Sequence, residues 1–243
     1  MPVAATPTTD RSPYRGYRFP PEIIAHAVWL YFRFHLSFRD VQDLLGERGI
    51  IVSHESIRQW CTKFGAAYAA GLRRRRVRAG DKWHLDEVLL KIRGKKHWLW
   101  RAVDQNGLVL DILVQDRRDQ HAAERFLRQV LEGENGTEPR VVITDKLASY
   151  PPAIRQVLPH TEHRRHKRLN NRAENSHLPT RKRERILQRF KSAEHAQRFL
   201  GPFGAVCNHF RPRRHLLTAS TYRQIRTERH TVWRDVTLGG VRR

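Results

Sequence analysis

The chain has 243 residues, of which 47 are Lys or Arg and 24 are Asp or Glu, giving a formal net charge of +23. That length holds one large domain or two smaller ones, and 39% apolar residues are enough for a core, which excludes a wholly disordered chain. No run approaches the roughly 20 apolar residues of a membrane helix, the N-terminus lacks a signal peptide's apolar centre, and the two cysteines, Cys61 and Cys207, form no C-x-x-C pair, so a membrane partner, a zinc ribbon and a disulfide scaffold are not expected and a reduced, cytoplasmic compartment is.

Residues 1–18 mix Pro, Thr, Arg and Gly without periodicity and read as a flexible arm. From residue 19 to 70 the period is helical. Ile23, Ile24, Ala27, Val28, Leu30, Tyr31 and Phe34 form one apolar face, after a Pro20-Pro21 start. Ser37-Phe-Arg-Asp40 resembles a capping box ahead of Val41, Leu44 and Leu45. Gly49 makes a turn. Ser53 can cap a third helix with Ile57, Trp60, Cys61 and Phe64 inward. Two short helices joined by a glycine turn form the helix-turn-helix pattern. The outward residues of its second helix, His54, Arg58, Gln59, Thr62 and Lys63, are the candidates for reading DNA. An ordinary three-helix bundle with a solvated face shows the same pattern.

Residues 71–80, an arginine run between glycines, read as a basic linker. The period then changes to two. Trp83–Ile92, Lys96–Val103 and Leu108–Val114 are expected strands joined by turns at Gly94-Lys95 and Asp104–Gly107, an antiparallel meander. A helix follows from about Gln120 to Leu131. Arg140–Thr144 reads as a buried parallel strand. Pro152–Leu158 is expected to be helical, and a basic segment leads into another helix from about Leu169. Ala193–Phe210 carries a further apolar stripe, within a basic helical region and tail at 193–243.

The charge is uneven along this order. Residues 76–150 hold 14 basic and 12 acidic side chains, whereas residues 151–243 hold 22 and 6. Most of the basic residues are arginine, the side chain best matched to phosphate oxygens. Such an asymmetry points to a polyanion, and nucleic acid is the obvious one. Arg164, Arg165, Lys167, Arg168 and Arg172 are the candidate phosphate contacts of the last third. His160, His163 and His166 recur every third residue, but without cysteine partners in a basic loop they read as backbone contacts or solvated groups.

Three antiparallel strands, a helix, a parallel strand and more helices give the α/β order of the ribonuclease H-like fold, here over residues 81–192. That fold places acids mid first strand, at the end of the fourth strand and on a later helix. The sequence has Asp86, Asp145 and Glu174 at these points. Glu174 is the only acid between His163 and Arg183. Phosphodiester chemistry needs an oxygen nucleophile and a stabilised leaving oxygen, and two Mg2+ ions held by carboxylates supply both. Glu87 is an equally acidic neighbour of Asp86, and Glu184 is the fallback third acid.

The strings WHLDEVLLKIRGKKHWLWRAVDQNGLVLDILVQDRRD, TDKLASY and EHRRHKRLNNRAENSH resemble the DDE-type bacterial insertion-sequence transposases, most closely the "insertion sequence six" family. The resemblance covers about Phe19 to Phe210. It implies a retroviral-integrase-like core behind a helix-turn-helix, with Asp86, Asp145 and Glu174 as the catalytic and metal-holding triad. Also implied are two Mg2+ ions, with Mn2+ as a substitute, and a DNA partner consisting of the element's ends and a target. The protein would be a homo-oligomer, at least a dimer, acting on the bacterial nucleoid. The activity implied is 3′-end cleavage at terminal inverted repeats and strand transfer, with a replicative cointegrate as the product. The interval from Asp145 to Glu174 is a few residues shorter than the family's usual spacing, and the shortening falls near Leu158–Glu162. A catalytically decayed copy acting as a repressor, a simple nuclease of the same fold and a structural RNA binder are the alternatives.

Overall fold

The computed structural model describes residues 12–166, 170–187, 189–212 and 216–239. In chain order the elements are α1 (Pro21–Arg33), α2 (Phe38–Gly46), α3 (His54–Arg74), β1 (Lys82–Ile92), β2 (Lys95–Asp104), β3 (Val109–Gln115), α4 (Gln120–Gly133), β4 (Val141–Thr144), α5 (Tyr150–Val157), β5 (Glu162–Arg165), α6 (Asn171–Ser176), α7 (Leu178–Ile186), α8 (Ala193–Phe210) and α9 (Ala219–Leu238).

Local chemistry accounts for most boundaries. Ser37 and Asp40 form the capping box reciprocally, Ser37 N donating to Asp40 Oδ2 at 2.7 Å and Asp40 N to Ser37 Oγ at 3.1 Å. Ser53 Oγ accepts from Ser56 N at the start of α3, and Asp119 Oδ1 from Ala122 N at the start of α4. Each satisfies a donor the first helical turn leaves free. Gly49 sits at φ +73°, where a side chain would be strained. The β1–β2 turn is Arg93-Gly94, both at positive φ, one residue earlier than expected. Positive φ at both central residues matches the twist of a two-residue hairpin.

The sheet runs β3-β2-β1-β4-β5. β1 is antiparallel to β2 and β2 to β3, while β4 is parallel to β1 and β5 to β4. This is the ribonuclease H-like order. β5 is a correction: the sequence Glu162-His-Arg-Arg165 reads as a basic connection, yet it pairs with Val141–Thr144. An edge strand with both faces largely in water needs no apolar alternation, so periodicity cannot find it.

Strand alternation sorts the core into two clusters. On one face Trp83, Leu85 and Trp100 pack with Phe126, Leu127 and Val130 of α4 and Tyr150 and Ile154 of α5. On the other, Leu90, Ile92, Leu99 and Ile112 pack with α1, α3 and α8 and with Trp233 of α9. The N-terminal helices therefore share a core with the sheet.

Two segments differ from expectation. α3 continues through residues 71–74 of the expected linker, because Leu72 is buried and Gly71 faces Val236 of α9, where a Cβ would come within 2.6 Å. Of the expected arm, residues 12–18 are described. Tyr14 is buried, its ring tilted 31° to that of Phe64 at a centroid distance of 4.9 Å, and donates its hydroxyl to the Thr237 carbonyl at 2.7 Å.

Candidate active site

Asp86 and Glu87 follow one another on β1 and so face opposite sides of the sheet. The parallel β1–β4 register pairs His84 with Ile143. Carried two residues further, it sets Asp86 level with Asp145, just past the end of β4. C-terminal strand ends are where α/β sheets expose chemistry.

The helix bearing Glu174 is pinned across Asp86. Its N-cap residue Asn170, fully buried, donates Nδ2 to the Leu85 carbonyl at 2.8 Å. Its C-cap residue His177, also buried, places Nε2 3.3 Å from Asp86 Oδ2. Arg101, opposite Asp86 on β2, donates to the Ser176 carbonyl and to Thr180 Oγ1. Burial lowers the His177 pKa, against the opposing pull of Asp86, and lowers that of Arg101 to about 10. Glu174 lies between the two anchors, with an exposed side chain.

Glu87 occupies the other face. Its side chain is fully buried and ion-paired with Arg118. Tyr150 donates its hydroxyl to Glu87 Oε2 at 2.7 Å, and Arg118 donates Nε to Oε1 at 2.7 Å. Burial raises the Glu87 pKa to about 6; the two hydrogen bonds pull it down and Asp145 adds to the rise. The same acids push Tyr150 far up: burial first, then Glu87, Asp86 and Asp145. Arg118 also reaches Asp145, at 3.9 Å. Glu184 pairs with Arg181 within α7 at 3.4 Å.

Arg118, Tyr150, Asn170 and His177 are site neighbours that periodicity and charge did not single out. Tyr150, Asn170 and His177 do stand inside the quoted strings TDKLASY and NNRAENSH; Arg118 looks like one of many surface arginines.

The described candidate DNA contacts lie on α3, β5 and α6. On α3, Arg58, Gln59, Thr62 and Lys63 are exposed and His54 is half-buried. Arg58 is held by Glu55 at 2.6 Å, Gln59 donates to the same carboxylate, and the Lys63 ammonium sits 4.6 Å from the Tyr17 ring centroid. On β5, Arg164 is held by Glu162 at 2.7 Å and Arg165 donates to the Lys146 carbonyl at 3.2 Å. His163 is half-buried, with Nε2 2.9 Å from Thr144 Oγ1, so it braces the end of β4 rather than standing free. Lys167 and Arg168 lie outside the described residues, and Arg172 is placed on α6 by its backbone alone.

The family model DDE_Tnp_IS240, a DDE domain, matches residues 80–213. The chain belongs to the DDE transposases of bacterial insertion sequences. The transposase for insertion sequence-like element IS431mec of Staphylococcus aureus (strain Mu50) is 31% identical to it over 186 residues, covering 74% of this chain and 82% of that one. The transposase for insertion sequence element IS257 in transposon Tn4003, also from Staphylococcus aureus, has the same identity and coverage. Both similarities fit the insertion sequence six family. The catalytic domain of Mos1 mariner transposase aligns with a TM-score of 0.41 at 16% identity, covering 74% of this chain and 93% of that one; the strand order, not that likeness, carries the fold assignment. As a DDE transposase the chain is a polynucleotidyl transferase, a class that works with divalent metal ions.

The donor chemistry fits such ions. Asp86, Asp145 and Glu174 offer hard carboxylate oxygens, the ligands Mg2+ prefers. Among the described residues, no three His, Cys, Asp or Glu side chains stand close enough together to hold one metal. Among the described residues no helix is long and apolar enough to cross a membrane.

Proposed function

We propose that this transposase recognises the terminal inverted repeats of its element, cleaves their 3′ ends and joins them to target DNA, with a replicative cointegrate as the product. Residues 19–70 would provide recognition through the exposed face of α3, from His54 to Lys63. Residues 81–192 would provide the chemistry, with 71–80 between the two and the basic 193–243 region following, its helix α8 packed against β3. Arg164, Arg165, Lys167, Arg168 and Arg172 would contact phosphates next to the reacting strand. At least two subunits would bridge two DNA ends, on nucleoid DNA in the cytoplasm.

Asp86, Asp145 and Glu174 would hold two Mg2+, for which Mn2+ substitutes. Bound there, the ions would activate the attacking oxygen and stabilise the leaving one. The chain's own part is placement. Asn170 and His177 hold the Glu174 helix over Asp86, and Arg101 fastens the end of that helix to β2. The observation that carries this reading is the level placement of Asp86 and Asp145 beside a helix bonded to Leu85 through Asn170 and brought by His177 to within 3.3 Å of Asp86.

The test is strand transfer in vitro with Mg2+ and DNA bearing the element's own ends, comparing wild type with Glu174→Gln. Joined product from wild type alone is the expected result. End binding without cleavage in either protein, under conditions where a related transposase is active, would favour a decayed, repressor-like copy.

A further inference from the structure

Glu87 is a buried carboxylate for which the reaction has no direct use. An acid withdrawn from water is costly unless it is fully paired, and here both oxygens are engaged: Oε1 by Arg118 and Oε2 by Tyr150. The other partner is as constrained. The Arg118 guanidinium lies over the Trp98 ring, 4.6 Å from its centroid, and its NH2 group faces Asp145 Oδ2 at 3.9 Å. Asp145 Oδ1 meanwhile accepts from Leu147 N at 2.9 Å. One oxygen of Asp145 is thus hydrogen-bonded to the backbone while the other faces the Arg118 cation, in a carboxylate that stands beyond the end of its strand.

We infer that Glu87 and Arg118 are a positioning pair for Asp145: the buried acid fixes the guanidinium, and the guanidinium orients the carboxylate that receives the metal. The inference rests on the reading of Asp145 as a metal-holding acid. Arg118 acts through Asp145, as supporting groups behind metal ligands do. The opposite role is a cation that merely stands in for the metal and opposes its binding.

Two readouts separate these roles: Mn2+ binding to the protein without DNA, followed by electron paramagnetic resonance, and single-turnover end cleavage against Mn2+ concentration. The proteins are wild type, Arg118→Ala, Arg118→Lys, Glu87→Gln, the Arg118→Ala/Glu87→Gln double variant and Asp145→Asn. Arg118→Ala and Glu87→Gln should each weaken Mn2+ binding and slow cleavage, on the order of 10–100-fold, with end binding within about twofold of wild type. The double variant should be no worse than the poorer single one, because the pair acts in series. Lys in place of Arg118 should restore little, since an ammonium cannot fork between two carboxylates while stacked on a ring. Unchanged or tighter Mn2+ binding by Arg118→Ala would overturn the inference, as would additive losses in the double variant. If Arg118→Ala fails to fold, Arg118→Lys decides: wild-type metal affinity there refutes the positioning role. Wild-type Mn2+ binding and cleavage by Asp145→Asn would instead remove the underlying assignment of Asp145.

Discussion

On the α4–α5 face of the sheet, Glu87 is sealed from water with both oxygens bonded. On the opposite face, one residue earlier, Asp86 faces the His177 ring, with Oδ2 3.3 Å from Nε2, and its side chain keeps 15% of its surface. The two faces differ in the same sense throughout. The α4–α5 face is a closed apolar cluster around Trp100 and Phe126. The other face carries buried cations as well as an apolar core: Arg101 holds α6, and Arg183, fully buried, donates to the carbonyls of Tyr31, Phe34 and Leu36. Arg183 thereby ties α7, which continues from the Glu174 helix, to the C-terminal end of α1, where a cation is favoured. A sheet with an apolar cluster on one face and an apolar core joined by polar anchors on the other can present an acid beside those anchors without losing either core.

Substitutions should separate the two faces. The largest loss of stability is expected from Trp100→Ala, about 3–5 kcal/mol, as for other buried tryptophans. Denaturant unfolding should show a lower midpoint with unchanged slope; a loss under about 1 kcal/mol would mean that the α4–α5 face is not the packed one. Arg183→Ala leaves three carbonyls without their donor and should cost about 2–4 kcal/mol. Amide exchange should then rise in α7 and at the end of α1 before it rises in α4. Exchange rising equally in all three would mean that Arg183 does not act as a local tie.

A smaller effect is expected from pH. Burial, with Arg211, Lys182, Arg183 and Arg33 nearby, lowers the His35 pKa to about 4, against an unfolded value of about 6.5. Between those values the unfolded chain binds a proton that the folded one does not, so stability should fall as pH drops from about 6.5 toward 4. His35→Gln should show a shallower fall in Tm over that window, and an identical fall would assign the pH dependence elsewhere.

Much of this was legible in the sequence because it is local. The capping box at Ser37, the turn at Gly49, the α8 stripe ending at Phe210 and the three acids in ribonuclease H-like order all follow from short-range chemistry and element order. What escaped depends on contacts distant in sequence. β5 is too polar for alternation to reveal it. α3 runs past Gly71 because α9 comes back to meet it there. Arg118 gains its meaning only when the β3–α4 loop folds over Glu87 and Asp145. The adjacent acids Asp86 and Glu87 are the sharpest case: composition treats them alike, and only the pleat of β1 assigns them to different faces.

The most direct test is therefore a side-by-side comparison of Asp86→Asn and Glu87→Gln, scored for strand transfer and thermal unfolding with the element's own ends. Asp86→Asn should give no joined product at near wild-type Tm and end affinity. Glu87→Gln should give reduced but measurable product with a lowered Tm. Joined product from Asp86→Asn at the wild-type rate would contradict the account, because Asp86 would then not be the acid that does the chemistry.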